Sequence, residues 1–355
     1  MRRLNKYKTT EAMAIDVMAK GMTGKVYNLA AGDPNIEICE ALKKQFFKTD
    51  LDATHNYGPS QGDINLRKRL WHNPEEVIIA NGAKQLMYES LAVTTKPGDK
   101  VLLVGPCWTS YVRICEILGT EYELLVGKEE NNYIPDIEDV RKAAKGCVAI
   151  VINNPNNPTG AIYGEDYIEA LYDIACEEDA WLIADEIYMF LADADKTVMT
   201  LRGMNGVIVI DGFSKSLNIT GWRLGYAIAE KEVIASMSAL QSQLSGPPST
   251  LIQNIVYEAW PAMELTEYDA YRDRIEMLCR IEKFKKHKPD GGFYFYVPIA
   301  EKWESSIKLC EYMLKDYSIA ITPGDSYGAE RTVRISVAST TAEDLAEILD
   351  KLKEI

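Results

Sequence analysis

Five short segments hold the residue types that do chemistry, and each sits where a loop would follow an apolar run. They are Asn81-Gly82-Ala83-Lys84, the run from Gly105-Pro106-Cys107-Trp108, NNPNNPTG (Asn153–Gly160), ADEIY (Ala184–Tyr188) and GFSKSLNITGWRLGY (Gly212–Tyr226). The last carries Lys215 eight residues before Arg223. A positioned lysine amine attacks carbonyl carbon and carries protons, and a guanidinium matches phosphate or carboxylate. Asp185 ends an apolar run and reads either as a strand-end acid or as the counter-ion of something bound; Glu186 beside it reads as an exposed strand-end acid. Taken singly these signals are weak. Most lysines are solvated surface charges, and Pro155 and Pro158 alone explain NNPNNPTG as a turn-rich loop.

Other catalytic patterns fare worse. G-x-G-x-x-G and the P-loop pattern are absent, as is a kinase set. Gly58-Pro59-Ser60-Gln61-Gly62 fits G-x-S-x-G, the nucleophile elbow of serine hydrolases. That elbow must follow a buried strand. The preceding residues, Asp52 to Tyr57, are polar, and only His72 or His287 lies downstream as a base. The hydrolase reading is a distant alternative.

The elements that must position these residues are legible as a rhythm. Val77–Ala80, Val101–Val104, Val148–Ile152, Trp181–Ala184, Val207–Ile210 and Leu224–Ala229 read as strands whose continuous apolar character fits burial on both faces. Helical patterns fall between them, at Gln85–Thr95, Trp108–Leu118, Asp136–Ala144 and Glu165–Glu178. The alternation predicts an α/β unit with a mostly parallel sheet, whose ligands bind at the carboxyl ends of the strands. After Glu264 the pattern changes: one long charged helix from Glu267 to about Lys286, then FYFYV, a helix, ITPGDSYG, RTVRISVA and a closing helix. This predicts a smaller α+β unit, with the first ~35 residues packing against it. The division is 36–264 for the large unit, and 1–35 with 265–355 for the small one.

Composition bounds the function. The 355 residues sum to a net charge of −14, which repels phosphate backbones, so no nucleic-acid partner is expected. No apolar run reaches the ~18 residues of a membrane span. The basic start, MRRLNKYKTTEAMAIDVMAK, lacks a signal-peptide core. Seven scattered cysteines without C-x-x-C, and three histidines, indicate neither a disulfide framework nor a metal site. The expectation is a reduced, soluble, cytoplasmic protein.

In order and spacing, the five segments resemble the class I aminotransferases, pyridoxal-phosphate enzymes of fold type I. The resemblance runs from LAAGDPN near the start to VRISVA near the end and is nearest the aspartate aminotransferase branch. It implies a seven-stranded, mostly parallel sheet between helices plus the smaller domain, and pyridoxal 5′-phosphate as cofactor. Such a cofactor needs an amine for its aldehyde, an anion at its ring nitrogen, donors at its phenolate oxygen and cations or amides at its phosphate. By resemblance Lys215 is the Schiff-base lysine and later the general acid/base. Asp185 is matched to the partner of the ring nitrogen, and Tyr188 and Asn157 to the donors at the phenolate oxygen. Arg223, Ser214 and the amides of Gly82, Ala83 and Lys84 are matched to the phosphate site. Trp108 is matched to the aromatic that stacks on the ring, with a core tryptophan as the competing reading.

The substrate α-carboxylate is assigned to Arg334 and to the amide of Gly32, where a side chain would obstruct approach. Asn157 and Trp108 are expected at substrate as well. Tyr57 matches a tyrosine that crosses to the phosphate of the other subunit, which implies a homodimer. Lys84 either pairs with a substrate's distal carboxylate or points to solvent. The resulting expectation is ping-pong transfer of an amino group from an L-amino acid, aspartate or glutamate being candidates, to a 2-oxo acid. A pyridoxal-phosphate lyase or decarboxylase on the same scaffold is the alternative, followed by a non-catalytic member. Departures from the pattern at Asn35-Ile36-Glu37, Trp71–Pro74 and Gly246–Glu264 lie near substrate entry in relatives.

Overall fold

The computed structural model describes residues 11–355; the basic start of the chain therefore lies largely outside the described residues. Strand β1 is Tyr27–Asn28, and the main sheet follows as β2 (Val77–Ala80), β3 (Lys100–Gly105), β4 (Glu121–Val126), β5 (Cys147–Asn153), β6 (Trp181–Asp185), β7 (Val207–Gly212) and β8 (Gly225–Ile228). Their order across the sheet is β2-β8-β7-β6-β5-β3-β4. All neighbours run parallel except β8, which is antiparallel to both β2 and β7. The six expected strands form. The seventh, β4, was not read from the sequence: EYELLV sits at the sheet edge, half-exposed, so its charges interrupt the apolar run that marks the buried strands.

Both faces of the sheet are covered. Ile78, Leu103 and Ile183 face the helices Ala83–Thr94, Thr109–Leu118 and Lys231–Leu244. Leu102, Ile150 and Leu182 face Ile137–Ala143 and Glu165–Glu177. Burial on two sides accounts for the unbroken Val/Ile/Leu runs.

The remaining strands are β9 (Tyr294–Pro298), β10 (Ile319–Ala320), β11 (Thr322–Pro323) and β12 (Thr332–Ser336). They form a three-stranded antiparallel sheet, β11-β12-β9, while β10 pairs in parallel with β1. Leu29 and Ala30 share one core with Phe293, Ile335 and the helix Ser306–Tyr317. The single long helix expected from Glu267 is instead broken into a short 3-10 turn (Tyr268–Tyr271) and helices Arg272–Leu278 and Glu282–Lys286. Tyr271, Ile275 and Leu278 lie on one face of a regular helix, but Phe284 falls well off that face. The break at Cys279–Ile281, where Ile281 is extended, turns Phe284 into the same core.

The topology collects the chemistry. Parallel strands β3, β5, β6 and β7 end on one sheet edge, where β2 also ends and the reversed β8 begins. Gly105, Asn153, Asp185, Gly212, Ala80 and Gly225 mark those points, so all five sequence segments converge there.

Candidate active site

At that edge lies a cavity of about 340 Å³, closed on the far side by the second sheet. Its wall includes nearly every residue singled out from the sequence. Asp185 ends β6 and Tyr188 follows it, Ser214 and Lys215 lie on the short helix Phe213–Ser216 after β7 with Arg223 beyond, and Asn157 comes from the loop after β5. Ala83, Lys84 and Trp108 come from two helix starts, and Gly32 and Arg334 from the opposite side. Gly82 and Tyr57 do not line it.

Gly82 acts at one remove. Its φ is +92°, and a Cβ there would lie 2.6 Å from Arg223 Nη2, so only glycine lets the helix Ala83–Thr94 start this close to the guanidinium. The first amides of that helix are left pointing outward with its positive dipole end. Arg223 adopts the left-handed conformation (φ 57°) and is braced by the carbonyls of Thr220 (2.8 Å) and Asn81 (3.3 Å). Both acceptors are neutral, so its charge stays without an acidic partner beside the helix terminus, an arrangement suited to an anion.

Asp185 is buried at the end of β6. Tyr111 donates to its Oδ2 at 2.6 Å and the amide of Ile187 to its Oδ1 at 3.2 Å. Burial pushes its pKa up to about 6, against the lowering effect of those donors. No cation pairs with it among the described residues. A desolvated carboxylate with neutral partners suits a cationic ligand atom. Tyr111 was missed in the sequence, although it falls one turn beyond Trp108 on the same helix face, with the rings edge to face at 5.6 Å.

Lys215 Nζ donates to the carbonyl of Gly32 at 2.5 Å. Burial lowers its pKa to about 8; Asp33 works against this, and Arg334 and Arg223 reinforce it. Gly32 is confined for a second reason: a Cβ there would collide with the hydroxyl of Tyr294. Tyr294, also missed in the sequence because FYFYV reads simply as a core strand, lines the cavity and shares a 3.2 Å hydrogen bond with Tyr188. The contact recorded for Gly32 is thus through its carbonyl to Lys215.

Arg334 enters from β12. It donates to Asn157 Oδ1 at 3.0 Å and to the carbonyl of Ala30 at 2.7 Å, while its Nε has no partner. Lys84 is exposed at the cavity mouth with Nζ 4.8 Å from the centre of the Trp108 ring. Burial of its surroundings, then Arg223, lowers its pKa. Trp108 faces the cavity and also packs against the core.

The other motifs fall elsewhere. Ser60 lies in a turn before the helix Ile64–Leu70, with no strand before it, and its carbonyl accepts from Gln241. The nucleophile elbow is absent, and the serine-hydrolase alternative goes with it. His287 contacts Glu129 and stacks near Tyr133, away from Ser60. Glu186, expected to be exposed, is 2% accessible and ion-paired to Arg202. Register explains this: Glu186 follows Asp185 onto the opposite sheet face, under the 199–204 loop.

Residues 24–352 match the family model for aminotransferases of class I and II. The chain belongs to that family. Among curated relatives it is 29% identical to the aspartate aminotransferase of Thermotoga maritima, covering 99% of this chain and 98% of the relative. It is 30% identical to the aspartate/prephenate aminotransferase of Thermus thermophilus, covering 97% and 94%. The solved aspartate aminotransferase of Thermus thermophilus with maleate superposes with a TM-score of 0.90 at 29% identity, over 99% of both chains. This aminotransferase thus has the fold type I architecture and transfers amino groups between amino acids and 2-oxo acids. Among the described residues no helix is long and apolar enough to cross a membrane.

Proposed function

We propose that this aminotransferase works with pyridoxal 5′-phosphate in the cavity and acts on an acidic amino acid, aspartate or glutamate. When bound, the cofactor's ring draws electron density from the substrate α-carbon, so that its proton can leave. The donor set fits that group. Arg223, Ser214 and the amides of Ala83 and Lys84 would hold the phosphate; the amide of Gly82 is taken by the carbonyl of Ala80 at 2.8 Å, so Gly82 would serve only by letting the helix start close to Arg223. Asp185, buried and without a cation, would hold the ring nitrogen. Tyr188 and the amide N–H₂ of Asn157, whose oxygen is already taken by Arg334, would face the phenolate oxygen. Trp108 would cover the ring face.

Lys215 supplies the amine. With a pKa near 8 a useful fraction is unprotonated at neutral pH, and its Nζ would take a proton from the α-carbon and return it. Arg334 would orient the substrate through its α-carboxylate by a planar fork. Lys84 has no ion-pair partner among the described residues and would meet a distal carboxylate. The relatives named as aspartate aminotransferases support this choice, as does the Thermus structure obtained with maleate, a dicarboxylate. Tyr57, 95% exposed here, would reach the phosphate of the second subunit in a homodimer. The proposed division into a large domain (36–264) and a small one (1–35 and 265–355) places Arg334 and Gly32 on the small domain. A cytoplasmic location agrees with seven scattered cysteines whose spacing marks no disulfide framework.

The observation that carries the reading is the meeting of Lys215, Asp185 and Arg334 in one cavity. Borohydride reduction of the protein with pyridoxal phosphate, followed by peptide mass spectrometry, should place the adduct on the peptide holding Lys215. Adding each standard amino acid without oxo acid should then yield pyridoxamine phosphate, fastest with aspartate or glutamate. An adduct elsewhere, or carbon dioxide or eliminated product instead of pyridoxamine phosphate, overturns it.

A further inference from the structure

Behind the cavity floor, on the other face of β6 and β7, two buried carboxylates share one guanidinium. Asp211 is 1% accessible and Glu186 2%. Arg202 Nη2 lies 2.5 Å from Asp211 Oδ2, and its Nε lies 3.3 Å from Glu186 without aligning as a hydrogen bond. Every other recorded partner of the two acids is a donor. Asp211 accepts from the hydroxyl of Tyr226 (2.8 Å) and the amide of Gly212 (2.6 Å). Glu186 accepts from the hydroxyl of Thr200 (2.8 Å) and the amide of Leu201 (3.0 Å). Donor-only surroundings satisfy carboxylates in the ionised form. Burial raises the pKa of both acids, and Arg202 and these donors oppose the rise; with both ionised, two negative charges against one guanidinium leave the cluster with one net negative charge.

Its placement gives that charge a use. Glu186 directly follows Asp185, and its amide donates to the carbonyl of Ile210, the residue before Asp211. Asp211 in turn precedes Gly212 and the short helix Phe213–Ser216 that carries Lys215. The cluster therefore pins the ends of both strands at the points where Asp185 and Lys215 leave for the cavity. The groups facing Asp185 itself are the Tyr111 hydroxyl, the Ile187 amide and the charge of Asp211, with Tyr188 nearby.

We propose that Glu186, Arg202 and Asp211 form a positioning cluster that fixes Asp185 and the Lys215 turn and holds a negative charge behind Asp185, strengthening its grip on a protonated ring nitrogen. The inference rests on the cofactor reading above. Its test compares binding of pyridoxal phosphate with binding of its deaza analogue, in which C–H replaces the ring nitrogen, to the cofactor-free protein. The wild type should prefer pyridoxal phosphate. Asp211→Asn and Glu186→Gln each remove one charge with little change of shape, and each should lower that preference about three- to tenfold. A purely structural role would weaken both compounds equally and leave the ratio unchanged. A ratio within twofold of wild type in the variants that fold, or loss of folding in both, overturns the cluster's electrostatic role. If wild type binds neither compound, the cofactor reading itself fails, which is a distinct result.

Discussion

The guanidinium of Arg334 spans the cavity to the side-chain oxygen of Asn157, 3.0 Å away and 177 positions earlier in the chain. Its central carbon lies over the rings of Tyr294 and Tyr327, at 4.4 and 5.0 Å from their centres. With Ala30 accepting from Nη2, the fork is locked in orientation before any ligand arrives, and its Nε–H remains unpartnered. A preset donor of this kind loses little entropy when a carboxylate docks.

Arg334→Lys should therefore cost more than a like-for-like charge swap implies. Lysine cannot reproduce the fork or the planar contact with the two rings, so about one charge-assisted hydrogen bond to substrate is lost, worth roughly 1.5–3 kcal/mol. The expected result is a fall in kcat/KM of roughly 10- to 100-fold, mainly through KM. Steady-state kinetics with the best amino acid checks this. An unchanged KM would remove Arg334 from the substrate site.

Asp185→Asn should stabilise the cofactor-free protein at neutral pH while destroying cofactor binding. The carboxyl pKa rises from 3.8 to about 6 on folding because burial penalises the charge. The native state then binds more protons than the unfolded one between those values, so wild-type stability is full below pH 4 and declines as pH rises to about 6. Asparagine has no such decline. The stability gap should widen in favour of the variant by up to about 3 kcal/mol between pH 4 and 7. Urea unfolding of cofactor-free wild type and variant at several pH values measures it. Parallel curves would mean that the buried carboxylate is compensated by something else.

The sequence made the strands of the sheet interior readable because burial on two faces demands unbroken apolar runs. It hid β4, whose edge position admits Glu121 and Glu123. It likewise marked Lys215 and Asp185 by motif, but not Tyr111 or Tyr294. Those two are defined by what they touch, and their types and spacing are equally those of core aromatics. Glu186 was misread for the converse reason. A charged residue at a strand end is exposed unless a distant cation covers it, and the cation, Arg202, belongs to a loop with no pattern of its own.

Lys84→Ala should weaken turnover of aspartate and glutamate more than that of alanine or aromatic amino acids. The amine stands over Trp108 at the cavity mouth with no ion-pair partner among the described residues, so a second substrate carboxylate gains a charge-assisted contact there. A loss of about tenfold or more in kcat/KM for the dicarboxylic substrates, against little change for alanine, is expected. Equal losses across all four would take Lys84 out of the specificity pocket.

Capture of pyridoxal phosphate by the cofactor-free protein should report the Lys215 amine directly. Its pKa, lowered to about 8 by burial, means that the reactive free-base fraction grows about tenfold per pH unit below 8 and levels off above it. Asp33 opposes that lowering, since its negative charge favours the ammonium form; it is held near the site by a 2.6 Å hydrogen bond from Thr220. Asp33→Asn should therefore move the bend in the rate profile to lower pH and speed capture at pH 7. Stopped-flow absorbance, referenced to a simple amine to remove the titration of pyridoxal phosphate itself, gives the profile. A bend near 10, as for an exposed lysine, or a shift to higher pH in Asp33→Asn, would contradict the electrostatic account of Lys215.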